Sequence, residues 1–114
     1  MKKINVLKNS RDFKRIMNKE KSYKTKYYFI YKENTNDTYH FGISVSKKIG
    51  NAVVRNKYKR QIRSIIDKKL YKNNFNCIII LRKSALDASY SLLKEDLLKG
   101  FEQLKIEGEN KNEK

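Results

Sequence analysis

The sequence is short of most residues that build chemistry. It has one cysteine, Cys77, one histidine, His40, no proline and four glycines in 114 residues, with 12 acidic side chains against 28 basic ones. One cysteine excludes an internal disulfide framework. One cysteine and one histidine leave too few soft ligands for a structural zinc site, and too few partners for a Ser/His or Cys/His catalytic pair of the usual kind. Long apolar runs are missing too: the strongest, Cys77-Ile78-Ile79-Ile80-Leu81, falls far short of the roughly 20 residues of a membrane span. The N-terminus lacks the apolar core and small-residue end of a signal peptide. A soluble protein of the reducing cytoplasm is expected. The missing proline, beside abundant lysine and asparagine, carries the imprint of a source genome's base composition as well as of function.

The scarcity of acids is local. From Thr38 through Ile66 there is none, while Lys47, Lys48, Arg55, Lys57, Lys59, Arg60 and Arg63 fall inside that window. The last twenty residues, Glu95 to Lys114, are mildly acidic. The length suits one domain. With 39% apolar and 11% aromatic residues the chain can bury a core, so its net charge of +16 belongs on a folded surface. Such asymmetry favours a polyanion touching the middle of the chain, and nucleic acid is the usual one. A membrane surface fits less well, because no segment pairs the basic face with a large exposed apolar one.

The pattern predicts the order αββαβα, with room for an extra short strand. Ser10 is placed to cap a helix to about Lys19 that carries Phe13, Ile16 and Met17 on one side. Lys26 to Lys32 alternates Tyr27, Phe29 and Tyr31 against Tyr28 and Ile30, which predicts a strand. Tyr39 to Ser46 is a second strand, expected to form a hairpin with the first across Asn34-Thr35-Asn36-Asp37. Asn51 then caps a helix from Ala52 to about Leu70, with Val54, Tyr58, Ile62, Ile65, Ile66 and Lys69/Leu70 as its apolar stripe. Asn76 to Arg82 reads as a strand buried on both faces, and Ser91 to Lys105 as a last helix burying Leu93, Leu97, Phe101 and Leu104. The fold class is therefore α+β: a two-layer sandwich of helices on a small mixed sheet, one domain over residues 1–106, with 107–114 a polar, disordered tail.

Two constellations bear on function. Arg55, Lys59 and Arg63 stack at four-residue spacing, and Lys57 and Arg60 extend the arc round the exposed side. A solvated face explains any one of these lysines. It does not explain the set, because an amphipathic solvent helix intersperses acids for i, i+4 pairs and this one has none before Asp67. The second is aromatic: if Tyr27, Phe29 and Tyr31 share a sheet face with Phe13, they form a shallow cleft on which unpaired bases can stack. Core packing is at least as good a reading for Phe13 and Phe29 alone, and Tyr31 is the stronger functional candidate. Ser44 and Ser46 either meet a ligand or simply alternate on a strand. His40 reads as a strand surface residue, and Cys77 as a small buried hydrophobe.

The run Ser44-Val45-Ser46-Lys47-Lys48-Ile49-Gly50-Asn51-Ala52-Val53-Val54-Arg55-Asn56-Lys57-Tyr58-Lys59-Arg60-Gln61-Ile62-Arg63 resembles the signature of the protein subunit of bacterial ribonuclease P. Leu7, Asp12-Phe13, the Ile78 to Lys83 strand end and the leucine-rich last helix fit as well, so the resemblance covers about residues 4–105. It departs at Lys57, where the family's Arg-Asn-Arg motif has an arginine with its bidentate fork, at Ser84, where proline is frequent, and at Met17, where relatives often carry an aromatic. The resemblance implies an α/β sandwich with a left-handed βαβ crossover through the basic helix, where handedness rules alone predict a right-handed one. It implies assistance in removing 5′ leaders from precursor tRNA, with chemistry by the RNA subunit and Mg2+ at the RNA active site, and neither a catalytic side chain nor a tightly bound cofactor on the protein. Its partners would be ribonuclease P RNA and precursor tRNA, with no membrane and no DNA. The RNA-binding residues would be Lys47, Lys48, Arg55, Asn56, Lys57, Lys59, Arg60 and Arg63. Phe13, Met17, Tyr27, Phe29 and Tyr31 would line the leader cleft. A ribosomal protein explains charge and fold equally well, though it does not require the aromatic strand to face solvent. A helix-turn-helix regulator would need two short helices where a strand is predicted. A self-sufficient metal-dependent nuclease would need a carboxylate cluster beside the basic helix.

Overall fold

Burial alternates along the strand Tyr28–Asn34: Tyr28 and Ile30 are fully buried, while Phe29 and Tyr31 are half-buried. That two-residue period gives the sheet one closed and one partly open face. The computed structural model describes residues 5–7, 9–72, 74–106 and 108–110. In chain order it contains α1 (Ser10–Lys19), β1 (Tyr23–Lys24), β2 (Tyr28–Asn34), β3 (His40–Ser44), α2 (Ala52–Asp67), β4 (Lys69–Tyr71), β5 (Phe75–Leu81), a 3-10 turn (Lys83–Asp87), α3 (Tyr90–Gln103) and β6 (Gly108–Asn110). The main sheet has the order β1-β2-β5-β3, and β4 pairs with β6 in a separate two-stranded sheet. This is the α+β architecture expected, a mixed four-stranded sheet with three helices.

The expected hairpin does not form. β2 pairs antiparallel with β5, and β3 pairs parallel with β5 on its other side. Alternation fixes which face a side chain takes but not which strand lies next door. β5 takes the central place because it is apolar on both faces, Cys77 and Ile79 on one and Ile78 on the other, all fully buried. The connection from β2 to β3 passes the start of β5, where the Thr35 amide donates to the Asn74 carbonyl at 3.3 Å.

On the closed face, Tyr28, Ile30, Phe41, Phe75, Cys77, Ile79 and Leu81 pack against Tyr58, Ile62, Ile65 and Ile66 of α2 and Leu93, Leu97 and Phe101 of α3. Gly100 lets α3 sit close, since a Cβ there would come within 2.6 Å of Ile30 Cδ1. α1 lies on the opposite face.

Several boundaries move. The Asn9 side chain, not Ser10, caps α1 by accepting from the Arg11 amide at 2.9 Å. Asn51 caps α2 as expected, accepting from the Val54 amide at 3.1 Å. α2 stops at Asp67, so Leu70 leaves the helical stripe for β4 and is exposed. The tail expected from residue 107 is not uniform: Gly108–Asn110 pairs with Lys69–Tyr71 as β6, while residues 107 and 111–114 lie outside the described residues.

Candidate nucleic-acid interface

The basic residues share one helix and the turn before it. β3 ends at Ser44, and Lys47 and Lys48 stand exposed in the turn that the Ile49 amide closes onto the Ser46 carbonyl at 3.0 Å. On α2, burial steps outward from the apolar stripe: Arg55 and Lys59 are half-buried at its edge, and Asn56, Lys57, Arg60 and Arg63 are exposed. All eight predicted residues therefore fall on one continuous strip. Among the described residues none of its seven cations forms an ion pair. The Arg55 Nε is closed off from solvent and has no hydrogen-bond partner within the described chain. No acid occupies the first turn of α2, where one would favourably meet the helix dipole. The strip is thus an uncompensated positive surface, suited to neutralising phosphates.

The aromatic face is read from the sheet register. Across β2, β5 and β3, three rows point to the side that α1 occupies. Glu33, Asn76 and His40 make the first, Tyr31, Ile78 and Gly42 the second, and Phe29, Ile80 and Ser44 the third; β1 adds Lys24 beside Phe29. α1 covers part of this face. Its Phe13 ring lies directly over Gly42, where a Cβ would come within 2.8 Å of Phe13 Cε1, and Ile16 is the one α1 residue that is buried. Met17, one helical turn from Phe13, is 37% exposed. Phe13, Met17, Phe29 and Tyr31 therefore occupy one side of the sheet, with the third row half-buried.

Tyr27 does not join them. It is 6% exposed and part of the core cluster, and its amide donates to Asp96 of α3 at 2.9 Å. The paired strand starts only at Tyr28, so the alternation that put Tyr27 beside Phe29 does not extend back to it. This placement removes Tyr27 from the open face.

Sequence reasoning missed two contributors. Arg82 lies over the Phe29 ring, 5.2 Å from its centroid, and donates to the Lys26 carbonyl at 3.0 Å; a cation–π contact of this kind holds both groups in place. Glu33 is the other. It is 5% exposed, and its carboxylate accepts from Arg15 Nη1, from Lys19 Nζ at 3.2 Å and from Asn76 Nδ2 at 3.0 Å. The Arg15 hydrogen bond is the main reason its pKa is held down at about 2. His40 Nδ1 lies 3.0 Å from Asn76 Oδ1, so His40 serves this network. Cys77 is fully buried, which pushes its thiol pKa up and leaves it unreactive.

A cationic helix with no acid before its last residue, on one layer, and a half-buried aromatic sheet face on the other define a small α+β protein with a surface of the kind that takes a polyanion. A profile of the Ribonuclease P family matches residues 1–105. The chain is 40% identical over 109 residues to the Ribonuclease P protein component of Mycoplasma mycoides, covering 92% of this chain and all of that one. It is also 40% identical over 107 residues to that of Bacillus mycoides, covering 90% and 93%. Among solved structures, the RNase P protein of Staphylococcus aureus superposes with a TM-score of 0.80 at 32% identity, covering 90% of this chain and 96% of that one. The Thermotoga maritima protein gives 0.78 at 28%, covering 85% and 94%. The chain belongs to the ribonuclease P protein family.

Proposed function

We propose that the chain is the protein subunit of a cytoplasmic ribonuclease P ribonucleoprotein and assists Mg2+-dependent endonucleolytic removal of 5′ leaders from precursor tRNA. Family membership supports the subunit role and the partnership with ribonuclease P RNA. The observation that carries the finer reading is the presence of two surfaces on one domain: the α2 strip, whose cations have no ion-pair partner among the described residues, and the open face with Phe13, Met17, Phe29 and Tyr31. The strip neutralises RNA phosphates. The open face offers rings to unpaired leader nucleotides, worth about 1–3 kcal/mol per stacked base with little sequence preference.

In this reading the reaction chemistry belongs to the RNA. In it the Mg2+ is held by RNA phosphates, and no step runs through a protein-held ion. The side chains bind and orient. Nor is there among the described residues a helix long and apolar enough to cross a membrane. The helix-turn-helix alternative loses its premise, since β3 and a turn precede α2.

Reconstitution tests the proposal. The full chain is added to a bacterial ribonuclease P RNA at low Mg2+, and 5′-leader release from precursor tRNA is followed. Faster cleavage is expected, and no enhancement would overturn the function.

A further inference from the structure

Glu33 is the one charged side chain buried among the described residues, and a buried carboxylate is retained only where it is paired. Its partners come from two elements. Arg15 and Lys19 reach down from α1, and Asn76 reaches across from β5, itself bonded to His40 of β3. The group therefore ties α1 to the sheet. The other ties lie toward the start of the helix: the Leu7 amide donates to the Phe41 carbonyl at 2.8 Å just before α1, Phe13 lays a ring on Gly42, and Ile16 is the only buried residue of α1, so Glu33 is the polar anchor of its second half. Arg15 also stands 3.8 Å from Asp12, and Lys19 3.7 Å from Glu20, but those pairs are local and exposed and do not fix where the helix sits.

Phe13 and Met17 ride on α1, while Phe29 and Tyr31 ride on β2. The space between the two pairs is set by how α1 is seated. We infer that Glu33 is a positioning residue: by holding Arg15 and Lys19 it fixes α1 on the sheet and so sets the width of the aromatic cleft. This rests on the reading of that cleft as the leader-binding face. It adds that a carboxylate outside the cleft, at the far end of the strand that carries Phe29 and Tyr31, controls the grip on the leader without touching it.

The test uses the full chain assembled with ribonuclease P RNA, and measures affinity for leader-bearing and leaderless tRNA with the wild type, Phe13→Ala, Glu33→Gln and the double variant. Glu33→Gln keeps the shape and removes the charge. Phe13→Ala is expected to weaken leader-bearing substrate about tenfold and Glu33→Gln about three- to fivefold, with leaderless tRNA within about twofold throughout. The double variant should be no weaker than Phe13→Ala by more than about twofold, because residues that act through one another are non-additive. If Phe13→Ala does not distinguish the two RNAs, the leader-cleft reading falls, and this inference with it. If Phe13→Ala does but Glu33→Gln does not, or if the two losses simply multiply, the cleft reading stands and the positioning role is wrong. Amide hydrogen exchange of the free protein gives a readout independent of RNA. Faster exchange confined to α1 in Glu33→Gln is expected, and unchanged exchange there would refute the claim that Glu33 holds the helix.

Discussion

Gly42→Ala probes the cleft without altering a single charge. Gly42 is buried in β3 under the Phe13 ring. No described glycine has a positive φ, so alanine suits the backbone. The closest conflict is with the ring, since an added Cβ would stand within 2.8 Å of Phe13 Cε1 and 3.2 Å of Cε2. Carbon atoms prefer about 3.5–4.0 Å, so the ring must withdraw by roughly 1 Å or tip outward. In a closed core that overpacking costs about 1–3 kcal/mol. Phe13 is only half-buried, which puts the cost at the low end, and alanine recovers about 0.4–1 kcal/mol by restricting the unfolded chain. The two nearly offset. Denaturant unfolding is therefore expected to change by less than about 1 kcal/mol.

Leader binding should not be spared in the same way. If one stacked base is lost with the displaced ring, about 1–3 kcal/mol goes with it, which is roughly 5- to 150-fold in affinity for leader-bearing precursor. Leaderless tRNA should bind unchanged. Combining Gly42→Ala with Phe13→Ala removes the clash, so alanine at 42 should then stabilise the fold slightly. The reasoning is refuted if the single variant folds normally and binds leader-bearing and leaderless tRNA as the wild type does.

Other outcomes follow from the charges. Arg60→Ala and Arg63→Ala should each weaken assembly with ribonuclease P RNA and make its salt dependence shallower, by roughly 0.7–0.9 in the log–log slope per lost phosphate contact; an unchanged slope would place those arginines off the RNA. Folding lowers the Glu33 pKa from 4.5 to about 2, so on acidification the unfolded chain takes up its proton first. At roughly 1.4 kcal/mol per pKa unit the carboxylate contributes on the order of 3 kcal/mol, complete above about pH 5 and lost as pH falls from there toward 2. Acid titration of unfolding should show this loss for the wild type and a flatter profile for Glu33→Gln, and parallel profiles would contradict it. Sulfate or phosphate should raise the melting temperature by relieving self-repulsion on a chain of net charge +16, and indifference to both anions would count against the uncompensated strip.

What the sequence revealed of this molecule was whatever a period or a local cap can carry. The α2 stripe of Tyr58, Ile62, Ile65 and Ile66, its Asn51 cap and the two-faced burial of β5 are all local patterns, and all are present. The order of the strands was not legible, because the hydrophobic pattern of β2 and β3 is satisfied equally well beside each other or on either side of β5. β1 and β4 are only two and three residues long, too short for any period to declare itself. The basic strip was readable because its residues are contiguous in the chain. Glu33 was not, since Arg15 lies 18 residues away and Asn76 lies 43. Nor was the exclusion of Tyr27, which depends on Asp96 of α3, 69 residues on.

These long-range contacts also divide the excess charge into parts that composition treats alike. Arg15 and Lys19 are cations committed to the fold, because Glu33 pairs with both within the interface they help to make, and Asp12 and Glu20 stand beside them. Asp96 is likewise committed internally, accepting from the Thr25 hydroxyl at 2.7 Å and the Tyr27 amide, and Glu95 pairs with Lys99 on its own helix. None of these acids reaches α2. The field over Lys47, Lys48 and the outer face of α2 is therefore stronger than an even spread of the net charge would give. Neutralising cations in α1 should cost the seat of that helix, whereas neutralising them in α2 should leave the fold intact and reduce only the hold on the polyanion.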